Sequence, residues 1–239
     1  MIGYPLAHSF SKNITPINFA ECAADCAYET FPITTISTLK KILQQNPNLK
    51  GLNVTIPHKK SGYTILTDLT HLPQGLNACN CIKISNGKLI GFNTDAIGFQ
   101  KSLEPLLKPQ HTQALILGNG GVANAVKFVL KKLNIKYTIV GRQLQNDVDL
   151  LYKDLTAEHI NEHFLIINTT PLGTFPNVDE CPNIPYYHLS NMHLLYDLIY
   201  NPDKTLFLQK GEQQGAAIKN GYEMLLIQAE ENWRIWNED

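Results

Sequence analysis

The chain has no apolar run approaching the roughly 18 residues that a membrane span needs. It also lacks an excess of either charge, with 20 Lys and Arg against 21 Asp and Glu for a formal net charge of -1. A nucleic-acid binder normally carries a basic surplus, and a disordered chain has more net charge and fewer apolar residues than the 44% here. Neither class fits. Cysteine is sparse: the five residues Cys22, Cys26, Cys79, Cys81 and Cys181 are odd in number and contain no C-x-x-C, against both a disulfide framework and a zinc ribbon. The opening Met1-Ile2-Gly3-Tyr4-Pro5 has neither the basic nor the apolar region of a secretory signal, so the expected location is the cytoplasm, with no membrane partner. Repeats and low-complexity segments are absent as well. What remains is a folded chain of 239 residues, one large domain or two small ones.

The clearest organisation starts at Ala114-Leu115-Ile116-Leu117, a short apolar run ending in Gly118-Asn119-Gly120-Gly121-Val122-Ala123. Beyond it, Val122, Ala125, Val126, Val129, Leu130 and Leu133 fall on one helix face, and Tyr137-Thr138-Ile139-Val140 makes a β-branched run. Strand, glycine turn, helix and strand form a βαβ unit with parallel strands. Runs at Phe164 to Ile167 and Leu194 to Ile199 extend the same sheet. The first hundred residues form a separate alternating segment, with strands expected at 27–31, 49–55 and 79–84. Ser11 would cap a helix toward Cys26, and Ser37 or Thr35 another reaching Gln45. Ser85-Asn86-Gly87-Lys88 carries the Asn-Gly pair of a type I′ hairpin. The tail from Tyr222 to Trp236 reads as one amphipathic helix, with Leu225, Leu226, Ala229 and Trp233 on one side.

Three constellations could carry chemistry. The glycine turn fits G-x-G-x-x-A with Gly118, Gly120 and Ala123: a tight turn, a backbone open to a pyrophosphate, and close helix packing at a helix N-terminus. The alternative is a turn that serves packing alone. An NAD site would place a carboxylate about twenty residues on, at the end of the second strand. Here the residues are Gly141-Arg142, and a guanidinium suits a 2′-phosphate, which favours NADP unless Arg142 is a solvated surface charge. Third, Asn53-Val54-Thr55-Ile56-Pro57-His58-Lys59 ends a β-rich run beside a lysine, and Asp95 in Asn93-Thr94-Asp95 is a carboxylate that could hold it for proton transfer. Lysines more often sit on solvated faces. His159-Ile160-Asn161-Glu162-His163 matches a zinc-peptidase pattern without an evident third ligand, so no metal is expected.

Together these stretches resemble the shikimate dehydrogenases. Gly3-Tyr4-Pro5-Leu6-Ala7-His8-Ser9-Phe10-Ser11 is similar to the family's opening motif, Asn53 to Lys59 to its Asn-Val-Thr-x-Pro-x-Lys, and Asn77-Ala78-Cys79-Asn80 to its Gly-Ala-x-Asn. Asn93-Thr94-Asp95, the glycine loop and Gly221-Tyr222-Glu223-Met224-Leu225 with Gln228 follow in order along nearly the whole chain. The chain departs from the family pattern at Lys12 and Thr15-Pro16, at Asn77, and at Gly141 and Gln143 beside Arg142.

The resemblance implies a two-domain α/β fold: an N-terminal α/β substrate domain, a Rossmann-like doubly wound NADP domain, and a C-terminal helix returning to the first. The implied boundaries are 1–95 plus 220–239 for the shikimate-binding, catalytic domain and 96–219 for the NADP domain, with the active site in the cleft. It implies that Ser9, Ser11, Thr55, Lys59, Asn80, Asp95, Tyr200 and Gln228 bind shikimate or 3-dehydroshikimate. Lys59 with Asp95 would handle the proton while hydride moves between substrate C3 and nicotinamide C4. NADP would lie on Gly118, Asn119, Gly120, Gly121, Val122, Arg142, Thr169 and Gly221. The expected partners are these small molecules, not nucleic acid, in a monomer or homodimer. A quinate-preferring member of the same family and a non-catalytic NADP-binding sensor are the competing readings.

Overall fold

The computed structural model describes residues 1–6, 26–144 and 147–238. The chain forms two compact units, Met1–Ile97 with Leu226–Asp239, and Gly98–Leu225.

In the first unit, strands β1 (Ile2–Gly3) and β2 (Phe31–Pro32) pair in parallel. The strand expected over 27–31 is confined to its last residue plus Pro32, because its partner offers only Ile2 and Gly3 and a proline has no N–H to extend the ladder. Helix α1 (Leu39–Gln45) follows a single 3-10 turn. Thr35 precedes that turn without capping it, since its hydroxyl lies on those of Ser37 and Thr38. Strands β3 (Gly51–Asn53), β4 (Cys81–Ser85) and β5 (Lys88–Phe92) make an antiparallel sheet. The Asn-Gly pair performs as its chemistry requires: Ser85 pairs with Lys88, and Asn86 and Gly87 take φ of 51° and 74°. Ile2, Ile33, Leu39, Ile42, Leu52, Val54, Cys79 and Ile82 pack into one buried cluster, each such aliphatic side chain contributing about 1.5–3 kcal/mol. Helix α2 (Thr94–Leu103) begins immediately after this sheet. The helix expected from Ser11 lies outside the described residues.

The second unit is a six-stranded parallel sheet. Its strands are β6 (Gln113–Leu117), β7 (Lys136–Gly141), β8 (Leu150–Leu151), β9 (Leu165–Asn168), β10 (Leu194–Asp197) and β11 (Ala217–Lys219), in the spatial order β11-β10-β9-β6-β7-β8. The order reverses beside β6, so the carboxyl ends of β6 and β9 flank the crevice where open α/β sheets take ligands. Helix α3 (Ala123–Lys132) joins β6 to β7 and buries Ala125, Val126, Val129 and Leu130, the face its spacing marks out. Lys131 and Lys132 complement the dipole of its last turn. It stops at Asn134, whose φ of 57° lets Asn134 N–H reach Lys131 O and Ile135 N–H reach Leu130 O, a Schellman closure with asparagine in the glycine position. Helices α4 (Ala157–Glu162) and α5 (Leu206–Gln213) complete the layer. Helix α6 (Tyr222–Asn237) buries Met224, Leu225, Ala229 and Ile235, whereas Leu226 and Trp233 are only half-buried. Among the described residues no helix is long and apolar enough to cross a membrane.

Three buried histidines make the second unit sensitive to acid. His111, His163 and His193 all have pKa values held below 6.5, chiefly by burial. A depressed histidine pKa means the unfolded chain binds more protons once the pH falls to about 6.5, so their contribution is present above that pH and is lost below it. Buried Asp197 acts oppositely: its carboxyl is pushed up from 3.8 to about 6 by burial, so its share is greatest below 3.8 and is lost as the pH rises to about 6. The Met1 amino group in the first unit, lowered from 8.0 to about 5 chiefly by burial, acts in the same sense as the histidines, so melting temperature should fall from pH 7 to pH 5. A flat profile over that range would show that these groups are not held neutral.

Candidate active site

The first unit assembles the proton-transfer pair. His58 N–H donates to Thr55 O at 2.8 Å, so the chain turns at the strand end and carries Lys59 round with it. Cys79 N–H donates to Lys59 O at 2.9 Å and fixes that backbone beside the start of β4. The Lys59 ammonium then meets Asp95 Oδ2 at 2.5 Å, with 19% of the lysine side chain and 6% of the aspartate side chain exposed. This pair is shielded yet reachable.

Asp95 is aimed by a cap. Asn93 Oδ1 accepts from Ala96 N–H at 3.0 Å at the start of α2, while its Nδ2 donates to Ala78 O. Asp95 therefore sits in the first turn, where the N-terminal helix dipole favours its charge. Thr94 beside it is fully buried and tied to Asn80: its N–H donates to Asn80 Oδ1 at 2.7 Å, and Asn80 Nδ2 donates to Thr94 Oγ1 at 2.9 Å. Asn80 Nδ2 also reaches Gln228 Oε1 at 3.4 Å, and Thr94 Oγ1 donates to Asn232 Oδ1 at 2.8 Å. Lys59, Asn80, Asp95 and Gln228 are thus brought into one connected neighbourhood with Thr55. Thr94 and Asn232 belong to it too and were not expected. Asn232 carried a signal, since a polar residue on the apolar side of a tail helix needs a partner.

Two expectations cannot be placed on this geometry. Ser9 and Ser11 lie outside the described residues. Tyr200 belongs to the second unit, where it follows β10 and burial pushes its hydroxyl pKa up. Asn77, standing where the family has glycine, is not among the residues at positive φ, so the turn there does not need one. His58 is structural, with Nε2 at 2.7 Å from Ile33 O and Nδ1 near Ser61 Oγ.

The second unit presents the glycine turn at the carboxyl end of β6. Gly118 has φ of 95°, and a Cβ there would lie 2.7 Å from Thr170 Cγ2, so only glycine fits. Gly120 and Gly121 differ, because a Cβ on either would meet nothing within 4 Å. The fold leaves these two positions open, which fits a backbone approached by a dinucleotide. Val122 offers no side chain to cap α3; Ala123 N–H donates to Gly120 O at 3.1 Å and Ala125 N–H to Val122 O at 3.0 Å, and the helix dipole at this end favours an anion. Asn119 and Val122 lie in this turn. Thr169 braces it, its Oγ1 donating to Leu117 O at 2.8 Å and approaching Gly118 O at 3.2 Å. Arg142 is exposed directly after β7. Gly141 before it has a packing reason, since a Cβ would lie 2.9 Å from both Val148 methyl groups. Gly221 N–H donates to Ile199 O at 2.9 Å, and a Cβ on it would strike Leu198 O.

The zinc-like histidines have other duties. His159 Nδ1 accepts from Thr156 N–H in a capping box, and His163 has Nδ1 at 2.7 Å from His159 O and Nε2 at 3.2 Å from Thr138 Oγ1.

Residues 1–82 match the family model described as the shikimate dehydrogenase substrate binding domain. A shikimate dehydrogenase (NADP(+)) of Methanococcus vannielii is 32% identical, covering 99% of this chain and 89% of its own. One from Nostoc sp. is 34% identical over the same shares of the two chains, 99% and 89%. The crystal structure of shikimate 5-dehydrogenase from Thermus thermophilus in complex with NADP(H) and shikimate matches with a TM-score of 0.85 at 27% identity, over 99% of this chain and 91% of that one. With both units accounted for in fold and sequence, the chain belongs to the shikimate dehydrogenase family.

Proposed function

We propose that this chain is an NADP-dependent shikimate dehydrogenase, reversibly reducing 3-dehydroshikimate to shikimate in aromatic amino-acid biosynthesis. The carrying observation is the Lys59–Asp95 pair at 2.5 Å, because a sensor that only bound ligands would have no use for a shielded ammonium–carboxylate couple. The first unit is assigned to the substrate and the second to the cofactor, in a cytoplasmic monomer or homodimer.

When bound, NADPH would supply the hydride for reduction at substrate C3, and NADP+ would accept it in the reverse direction. Lys59 Nζ gives a proton to the C3 oxygen as the ketone is reduced and takes it back in the reverse direction. Asp95 holds that ammonium in place and stabilises its charge. Ser9, Ser11, Thr55, Asn80, Tyr200 and Gln228 are assigned to the substrate's carboxylate and hydroxyls, for which they offer neutral donors. Gly118 to Val122, Thr169 and Gly221 would hold the dinucleotide, with Arg142 on its 2′-phosphate.

The open space at Gly120 gives a test that separates binding from folding. Because a Cβ there would meet nothing within 4 Å, Gly120→Val should change stability by no more than about 0.5 kcal/mol. It should nevertheless weaken NADP by at least about tenfold, roughly 1.4 kcal/mol, in a calorimetric titration. Wild-type affinity for NADP in the variant would remove the glycine turn from the cofactor site.

A further inference from the structure

Asp197 is a carboxylate in an apolar strand, Leu194-Leu195-Tyr196-Asp197, and it is fully buried with no ion-pair partner among the described residues. Burying a charge is costly unless hydrogen bonds replace its water. Three do. Thr205 Oγ1 donates to Oδ2 at 2.6 Å, and Asn168 Nδ2 and Ile199 N–H donate to Oδ1, each at 3.0 Å. These donors pull the pKa down while burial pushes it up.

What the network reaches gives it a purpose beyond stability. Leu117, Asn168 and Asp197 lie in one row across β6, β9 and β10, at the carboxyl edge of the sheet. From Asn168, the Oδ1 atom accepts from both Thr170 N–H at 3.0 Å and Thr170 Oγ1 at 2.7 Å, which fixes the Thr169–Thr170 segment that packs on Gly118. From Ile199, the backbone oxygen accepts from Gly221 N–H, and Tyr200 is the next residue. One carboxylate therefore ties together the ends of β9 and β10, which lead into Thr169 and Tyr200, and through the Ile199 carbonyl it reaches Gly221 after β11.

We propose that Asp197 is a positioning residue for the cofactor site, holding the Thr169 loop against the glycine turn and the Ile199 carbonyl against Gly221. This rests on the reading of the second unit as the NADP unit. Asp197 itself touches no reacting atom. It acts through Asn168 and the Ile199 amide, and Thr205 closes the far side of the carboxylate while accepting from Leu208 N–H at the start of α5.

The experiment is a fluorescence titration with NADPH beside a calorimetric titration with shikimate, on wild type, Asp197→Asn, Thr205→Val and Thr205→Ser. Asp197→Asn keeps the shape but replaces one acceptor by a donor facing Thr205. It should weaken NADPH by about tenfold or more and shikimate by no more than about threefold, since Tyr200 is the one assigned shikimate contact on this network. A general loss of structure would instead weaken both to a similar extent, or lower the melting temperature with neither affinity changed; either result would count against the proposal. If Asp197→Asn does not fold, the threonine pair decides: Val keeps the shape without the hydroxyl and should weaken NADPH at least about threefold, whereas Ser keeps the hydroxyl and should stay within about twofold. Equal NADPH affinities for Val and Ser, or an Asp197→Asn affinity within about twofold of wild type, would overturn the proposal. A wild-type chain that binds no NADPH would overturn the functional reading beneath it.

Discussion

Lys59→Ala is expected to lower kcat by about 10² to 10⁴-fold, the range over which a positioned acid–base group contributes. The KM for shikimate should change little, because most of the assigned carboxylate and hydroxyl contacts come from other side chains. The size of the effect follows from the geometry: the ammonium contacts Asp95 at 2.5 Å and retains 19% exposure, so it can reach a substrate oxygen without being lost to solvent. Asp95→Asn should lower kcat as well while keeping the cap at Asn93, whose bonds do not involve the carboxylate. Steady-state rates in both directions would decide this. Near-normal turnover in Lys59→Ala would remove the lysine from proton transfer.

Arg142→Ala carries the second large effect, on the choice of cofactor. Charge-assisted hydrogen bonds contribute about 1.5–3 kcal/mol, so KM for NADP should rise by roughly 10- to 100-fold. NAD has no 2′-phosphate, and its KM should move by less than about twofold. The exposed position after β7 makes a folding effect small, since surface substitutions usually stay within about 0.5 kcal/mol. Equal changes for the two cofactors would dismiss Arg142 from phosphate recognition.

The features that could be read in the sequence are those with a local cause. The glycine turn, the α3 face, the Asn-Gly hairpin and the apolar runs of β6, β7, β9 and β10 each follow from a few adjacent residues. Strands β8 and β11 escaped, because two or three residues carry no periodicity and become strands only through their neighbours' open edges. Strand β2 shows the reverse error. A strand over 27–31 was more length than a two-residue partner could pair.

The candidate site divides in the same way. Lys59 and Asp95 stood out as chemical types near strand ends, but 36 residues separate them and only the fold shows their contact. Thr94, Asn232, Asn168 and Thr205 were given no role because each works through a partner outside its own local pattern. Thr94 and Asn232, for example, are 138 residues apart. Asp197 was given no role either, although a charge inside the apolar run 194–199 is a local signal. Its purpose needed the register that sets it beside Asn168.

The most direct measurement is a spectrophotometric assay of the purified chain with shikimate or quinate, each paired with NADP or NAD, following reduced nicotinamide. The structure and family lead to fast turnover with shikimate and NADP, and slow turnover or none with the other three pairs. NADP binding without turnover on any pair would contradict the enzyme reading and leave a sensor in its place.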